Sequence, residues 1–130
     1  MTDYVVYHKA EKMGYPALDV GRLVIYTKKP ANGTEGSRVW LIAGEGTPRN
    51  YRLRATFLIR SIEASDKPEF KNRVTGTDGQ LLDPMPLLNR EPWFAAFAKE
   101  QGRFAFGFNP INNDAVEDGL RAILRANTLR

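Results

Sequence analysis

The sequence predicts an α+β protein: a small, mostly antiparallel curved sheet or β-barrel with two peripheral helices, in a single domain over residues 1–130. Three observations predict this. Runs rich in β-branched and aromatic residues succeed one another across loops rich in Gly, Pro and Asn, which is the pattern of strands joined by reversals. Helical patterning is confined to two stretches late in the chain. Strands do not alternate with long helices, so a parallel, doubly wound sheet is not expected.

The strongest element is a hairpin. Arg38-Val-Trp-Leu-Ile-Ala43 and Tyr51 to Ile62 flank the loop Gly44 to Asn50, whose two glycines and one proline provide the backbone freedom and the fixed φ of a reversal. Strict alternation over the second strand places Leu53, Ala55, Phe57 and Ile59 on one side and Arg52, Arg54, Thr56, Leu58 and Arg60 on the other. Side chains two apart on a strand lie about 6.5–7 Å from each other, so Arg52 and Arg54 match neighbouring phosphates of an extended nucleic-acid strand. Charged residues on the solvated side of an amphipathic strand account for the same pattern without a ligand.

The other elements follow in order. Asp3 to Lys9 reads as a central strand with Tyr4, Val6 and His8 on one face and Val5 and Tyr7 on the other. Residues 10–21 form a loop, and Arg22 to Thr27 a second strand. Lys28 to Ser37, polar and Gly-rich with an Asn-Gly turn signal, is expected to be a mobile loop. Glu63 to Gln80 reads as a long polar excursion with turns at Asp66-Lys-Pro and Gly76-Thr-Asp-Gly. Leu81 to Leu88 contains two prolines and should run extended and buried. Arg90 to Gln101 is a short helix packing through Trp93, Phe94, Phe97 and Ala98 and stopping at Gly102. Arg103 to Phe108 alternates as a last strand. The C-terminal helix is capped by Asn113 or Asp114 and carries the apolar stripe Val116, Leu120, Ile123 and Leu124.

Charge narrows the class of partner. Lys and Arg outnumber Asp and Glu ten to six in residues 1–65 and balance nine to nine in 66–130, so the net charge of +4 resides in the first half. A basic patch on a sheet favours a polyanion, nucleic acid before an anionic membrane surface. There is no cysteine, which removes thiolate metal sites, cysteine nucleophiles and disulfides and fits a reducing compartment. No apolar run reaches membrane-spanning length and the first residues lack a signal-peptide pattern, so a soluble, cytoplasmic protein is expected.

Few catalytic parts are present. The one histidine, His8, has no nucleophile motif beside it, and the loop Gly44-Glu-Gly-Thr-Pro-Arg49 leads into a strand rather than the helix N-terminus a dinucleotide loop requires. Glu45, Glu63 and Asp66 do not form a spaced metal cluster on one strand. No cofactor or metal is expected, and a binding module is preferred to an enzyme.

The N-terminal Tyr-Val-Val-Tyr-His-Lys strand, the Trp-Leu-Ile-Ala-Gly-Glu-Gly strand and loop, the Tyr51-to-Ile62 strand and the late Glu91-Pro-Trp-Phe helix together resemble the PUA-like superfamily, in particular its EVE and YTH-type branch. The resemblance is one of element order. It implies a reader of DNA or RNA that accepts a modified or flipped base between aromatic walls, working alone or with a separate catalytic partner protein. On that reading Tyr7, Trp40, Tyr51 and Trp93 are candidate walls, His8 and Lys9 nearby donors, and Lys28, Lys29, Arg49, Arg52, Arg54 and Arg60 phosphate contacts. The usual tryptophan-rich N-terminal signature is lacking. Each aromatic also has a core reading: Trp93 and Phe94 begin an amphipathic helix, and Trp40, opposite in parity to Val39 and Leu41, either caps a second small core or lies on the functional face. His8 has a structural, hydrogen-bonded reading. The alternative functions are a protein-interaction domain with a basic face and a small nucleic-acid-processing enzyme.

Overall fold

The computed structural model describes residues 2–9, 23–27, 33–46, 49–65, 68, 70–82, 84–101 and 108–128. In chain order these form β1 (Asp3–Lys9), β2 (Val24–Thr27), β3 (Arg38–Glu45), β4 (Asn50–Ala64), β5 (Asn72–Leu81), α1 (Phe94–Glu100), β6 (Phe108–Ile111) and α2 (Asp114–Thr128). The α+β class is as expected. The six strands make one sheet in the order β2-β5-β4-β3-β1-β6. It does not close into the barrel that was the alternative: among the described residues β2 pairs with β5 and β6 with β1, leaving two four-residue strands as its edges. All pairings are antiparallel except β1 with β3, because the chain crosses to the far edge for β2 before returning beside β1.

The central hairpin pairs from Arg38↔Leu58 to Glu45↔Asn50, so its loop is shorter than the seven residues expected. Its alternation is broken. Between Leu41↔Ala55 and Ile42↔Leu53 one step on β3 spans two on β4, which makes Arg54 the extra residue of a β-bulge. Leu53 therefore joins the face of Trp40 and Ile42, while Ala55, Phe57 and Ile59 join Val39 and Leu41. Leu53 thus does not share the face of Ala55, Phe57 and Ile59, as strict alternation predicts it would. A second extra residue, Arg60, lies between Ile59↔Gly76 and Ser61↔Thr75, and turns Ile62 inward opposite Val74.

Residues 72–80, expected as part of a polar excursion, form a strand with Leu81. Close neighbours explain its glycines: a Cβ on Gly76 would run into the Phe57 ring, and one on Gly79 into Phe57 Cβ, the Thr56 carbonyl oxygen and Leu23. Beyond β5 the chain does run extended, and it closes the edge of β4 left uncovered by β5. Leu82 N donates to Arg54 O, Leu53 N to Pro86 O and Leu88 N to Tyr51 O. Leu82, Met85 and Leu88 are buried there, whereas Leu81 is exposed.

The strand expected over Arg103 to Phe108 falls, except for Phe108, outside the described residues. The predicted stop at Gly102 also lies outside them, and β6 covers Phe108–Ile111. Pro110, which has no N–H, is tolerated because β6 is an edge. Helix α2 begins as predicted, with Asn113 Oδ1 accepting from the Ala115 and Val116 amides at 2.9 and 3.3 Å. Of the loop expected to be mobile, residues 28–32 lie outside the described residues; in its remainder Gly36 N donates to Ile59 O, Ile59 N to Ser37 O and Ser37 N to Thr34 O.

Two cores lie on opposite faces of the sheet. One combines Val5, Trp40, Ile42 and Leu53 with Phe94 and Phe97 of α1 and Val116 and Leu120 of α2. The other is built on Val6, Val39, Leu41, Phe57, Ile59 and Val74.

Candidate nucleic-acid interface

The residues singled out from the sequence separate into three groups. The first is buried. Trp40 is 0 % exposed, with its indole Nε1–H donated to Asp3 Oδ2 at 2.9 Å. The guanidinium carbons of Arg38 and Arg121 each lie 5.9 Å from its ring centroid. No part of the ring remains for a base, and the core reading holds. Arg54, expected on a solvated face, is 4 % exposed and donates to Leu82 O at 3.3 Å. Arg52, half-buried, donates to Met85 O at 3.1 Å. The bulge turns this pair from a phosphate ladder into clamps on the segment that closes β4.

The second group comes together at one end of the sheet. Arg49 Nη1 donates to the Tyr7 hydroxyl oxygen at 3.3 Å. The Tyr7 and Tyr51 rings are 5.9 Å apart and tilted by 46°, and Tyr51 continues onto Phe94 at 5.3 Å. Both tyrosines and Arg49 are half-buried, at the rim of the helix-side core. Trp93 lies farther along the same aromatic row, edge-on to Phe94 and Phe97 at 6.0 and 6.1 Å and packed against Gly119 of α2.

Gly44 creates the space for this arrangement. It stands between Lys9 and Tyr51 in the strand register, and a Cβ there would be 2.7 Å from Tyr7 Cζ, so the phenol leans over a position without a side chain. Asn89 holds the adjoining backbone: its Oδ1 accepts from Tyr51 N at 2.7 Å and its Nδ2 donates to Arg49 O at 3.0 Å. Neither role was apparent in the sequence. Asn89 acts as a partner strand would, and a single amide at the end of Leu87-Leu88 carries no pattern.

The third group is apart or outside the described residues. Arg60 is exposed in its bulge, distant along β4 from the tyrosines. Lys28 and Lys29 lie outside the described part, as do the side chains of His8 and Lys9, although both of these backbones pair with β3.

Searches of family models, curated proteins and solved structures return no match to this chain. The site is therefore read from its own chemistry. Among the described residues no three His, Asp or Glu side chains gather as metal ligands, and no helix is long and apolar enough to cross a membrane. A guanidinium beside two phenol rings offers charge to a phosphate, π faces to a base and hydroxyls to a base edge.

Proposed function

We propose that the chain is a nucleic-acid-binding module of PUA-like kind that takes an unpaired or flipped base, including a modified one, at the Arg49–Tyr7–Tyr51 end of the sheet. The observation that carries this reading is the contact of the Arg49 guanidinium with Tyr7 beside the Tyr51 ring. Cation and aromatics adjoin there, as recognition of a phosphate with its base requires. The basic first half of the chain supports a polyanionic partner, DNA or RNA, and the scarcity of catalytic groups supports a module that delivers its ligand to a separate catalytic protein. Of the four candidate walls, Tyr7 and Tyr51 serve here, and Trp40, fully buried, does not.

The test is fluorescence anisotropy with labelled single-stranded and duplex oligonucleotides over a salt series. Binding should fall steeply with salt and favour single strands. Loss of one stacked base is worth about 1–3 kcal/mol, so Tyr51→Ala should weaken binding by roughly ten- to a hundredfold. Wild-type protein that binds neither form at low salt, or binds an acidic protein with the same salt slope and no nucleic acid, overturns the reading.

A further inference from the structure

The far end of β4 carries a second gathering of cations and aromatics. Tyr26, Arg73 and Glu63 lie in one cross-strand row, Tyr26↔Arg73 between β2 and β5 and Glu63↔Arg73 between β4 and β5. Tyr26 also meets Phe70, with ring centroids 5.8 Å apart. Neighbouring Val74, Ile62 and Ile25 face the second core, so alternation puts the Tyr26–Arg73–Glu63 row on the opposite face, the one that bears Tyr51. Lys71, two residues before Arg73, and Arg60, in its bulge between Ile59↔Gly76 and Ser61↔Thr75, are exposed.

Arg73 is the anomalous member. Its Nε is buried and has no hydrogen-bond partner, alone among the buried side-chain nitrogens and oxygens of the described residues. The carboxylate directly across from it does not meet this need, since Glu63 Oε1 accepts instead from the Ser61 hydroxyl at 3.5 Å. A buried N–H without an acceptor is costly, and rotation of the guanidinium edge onto an anion would remove that cost. Lys71 and Arg60, the latter near Thr75 and Gly76, add exposed positive charge at this end of β4, which suits a polyanion.

We propose that Arg73, with Arg60 and Lys71 at the same end of β4, is a second phosphate-binding site that holds the backbone of the same single strand whose base enters at Tyr51. The identity of the ligand rests on the function proposed above; the site itself rests on the orphaned donor. From Tyr51 to Glu63 the contour of β4 is roughly 40 Å, so one short fragment does not occupy both ends. Strands long enough to reach both sites fall in the range of about 4–16 nucleotides typical of sheet-based single-strand binders.

The experiment compares a trinucleotide and a dodecamer of deoxythymidine on wild type, Arg73→Gln and Arg60→Gln, with thermal melting as the folding control. Loss of one phosphate contact to a single strand should lower the salt slope of dodecamer binding by about 0.7. Removing a hydrogen bond to a charged group should weaken the dodecamer by about tenfold in Arg73→Gln. Trinucleotide binding should be unchanged, and Arg73→Lys should restore the slope but not the full affinity. Should Arg73→Gln melt early, Arg60→Gln, exposed and outside both cores, carries the same slope test. Wild-type affinity and slope for the dodecamer in both Gln variants overturns the second site and leaves the first intact. A wild-type protein that binds neither oligonucleotide overturns the function on which the ligand's identity depends.

Discussion

Trp40 and Asp3, 37 residues apart in sequence, are joined by an indole N–H donated to a buried carboxylate at 2.9 Å. Arg121 of α2 reaches the same oxygen at 2.9 Å, so one carboxylate fastens the first strand, the central hairpin and the C-terminal helix. Trp40 is thereby a structural residue. Trp40→Ala should cost about 3–5 kcal/mol, as large-to-small changes in a core do. Trp40→Phe, which keeps most of the ring and loses the donor, should cost about 1–3 kcal/mol. Urea melts measure both, and the folded fraction of each variant should keep wild-type oligonucleotide affinity.

Glu117 gives the fold a pH dependence whose sign is set. Its carboxyl is held above the ordinary value of 4.5, first by loss of hydration on burial and then by the Asp3 carboxylate, with Arg121 acting in the opposite direction. Between the unfolded value and the raised folded one, the native state binds more protons than the unfolded state. Its stability therefore falls as pH rises through that window. Glu117→Gln should match wild type below the window and be the more stable above it. Urea unfolding at a series of acid to neutral pH values checks this; a gap between the two proteins that does not widen with pH rejects it.

Gly44→Ala tests how the first site is held open. The new methyl would displace the Tyr7 ring and break its contact with Arg49. The cost in stability should be about 1–3 kcal/mol, typical of overpacking, with a larger proportional loss of single-strand affinity than Tyr7→Phe causes. Melting and anisotropy on the same preparations separate the two effects.

Gly76→Ala is the corresponding change on the other face. A methyl there would enter the Phe57 ring, so the variant should lose about 1–3 kcal/mol. Its residual affinity for the trinucleotide should be that of wild type, since Phe57 belongs to the core away from the tyrosines.

Strands β1, β3 and β4 were legible because their β-branched and aromatic residues are dense enough to announce themselves, and α2 because its cap and stripe both appear in order. Strand β5 was not legible. Its sequence Asn-Arg-Val-Thr-Gly-Thr-Asp-Gly-Gln-Leu is shaped by the Phe57 ring at Gly76 and by the Thr56 carbonyl, Phe57 Cβ and Leu23 at Gly79, and such contacts from elsewhere in the chain leave glycines that read locally as turns. The arginine face failed for a related reason. Alternation was read correctly on each side of Arg54, but nothing local signals that one residue is left out of register. Of the proposed base walls, Tyr7 and Tyr51 meet beside Arg49, whereas Trp40 is taken into the core by a carboxylate near the start of the chain that no neighbouring residue pointed to.

The bulge at Arg54 also governs how the molecule comes apart. Because β4 passes Leu53 to one core and Phe57 to the other within five residues, each hydrophobic cluster borrows a wall from the same length of backbone. Neither can dissolve while the other stays intact. A protein with two separate interiors should accordingly melt in one transition, with calorimetric and van't Hoff enthalpies that agree.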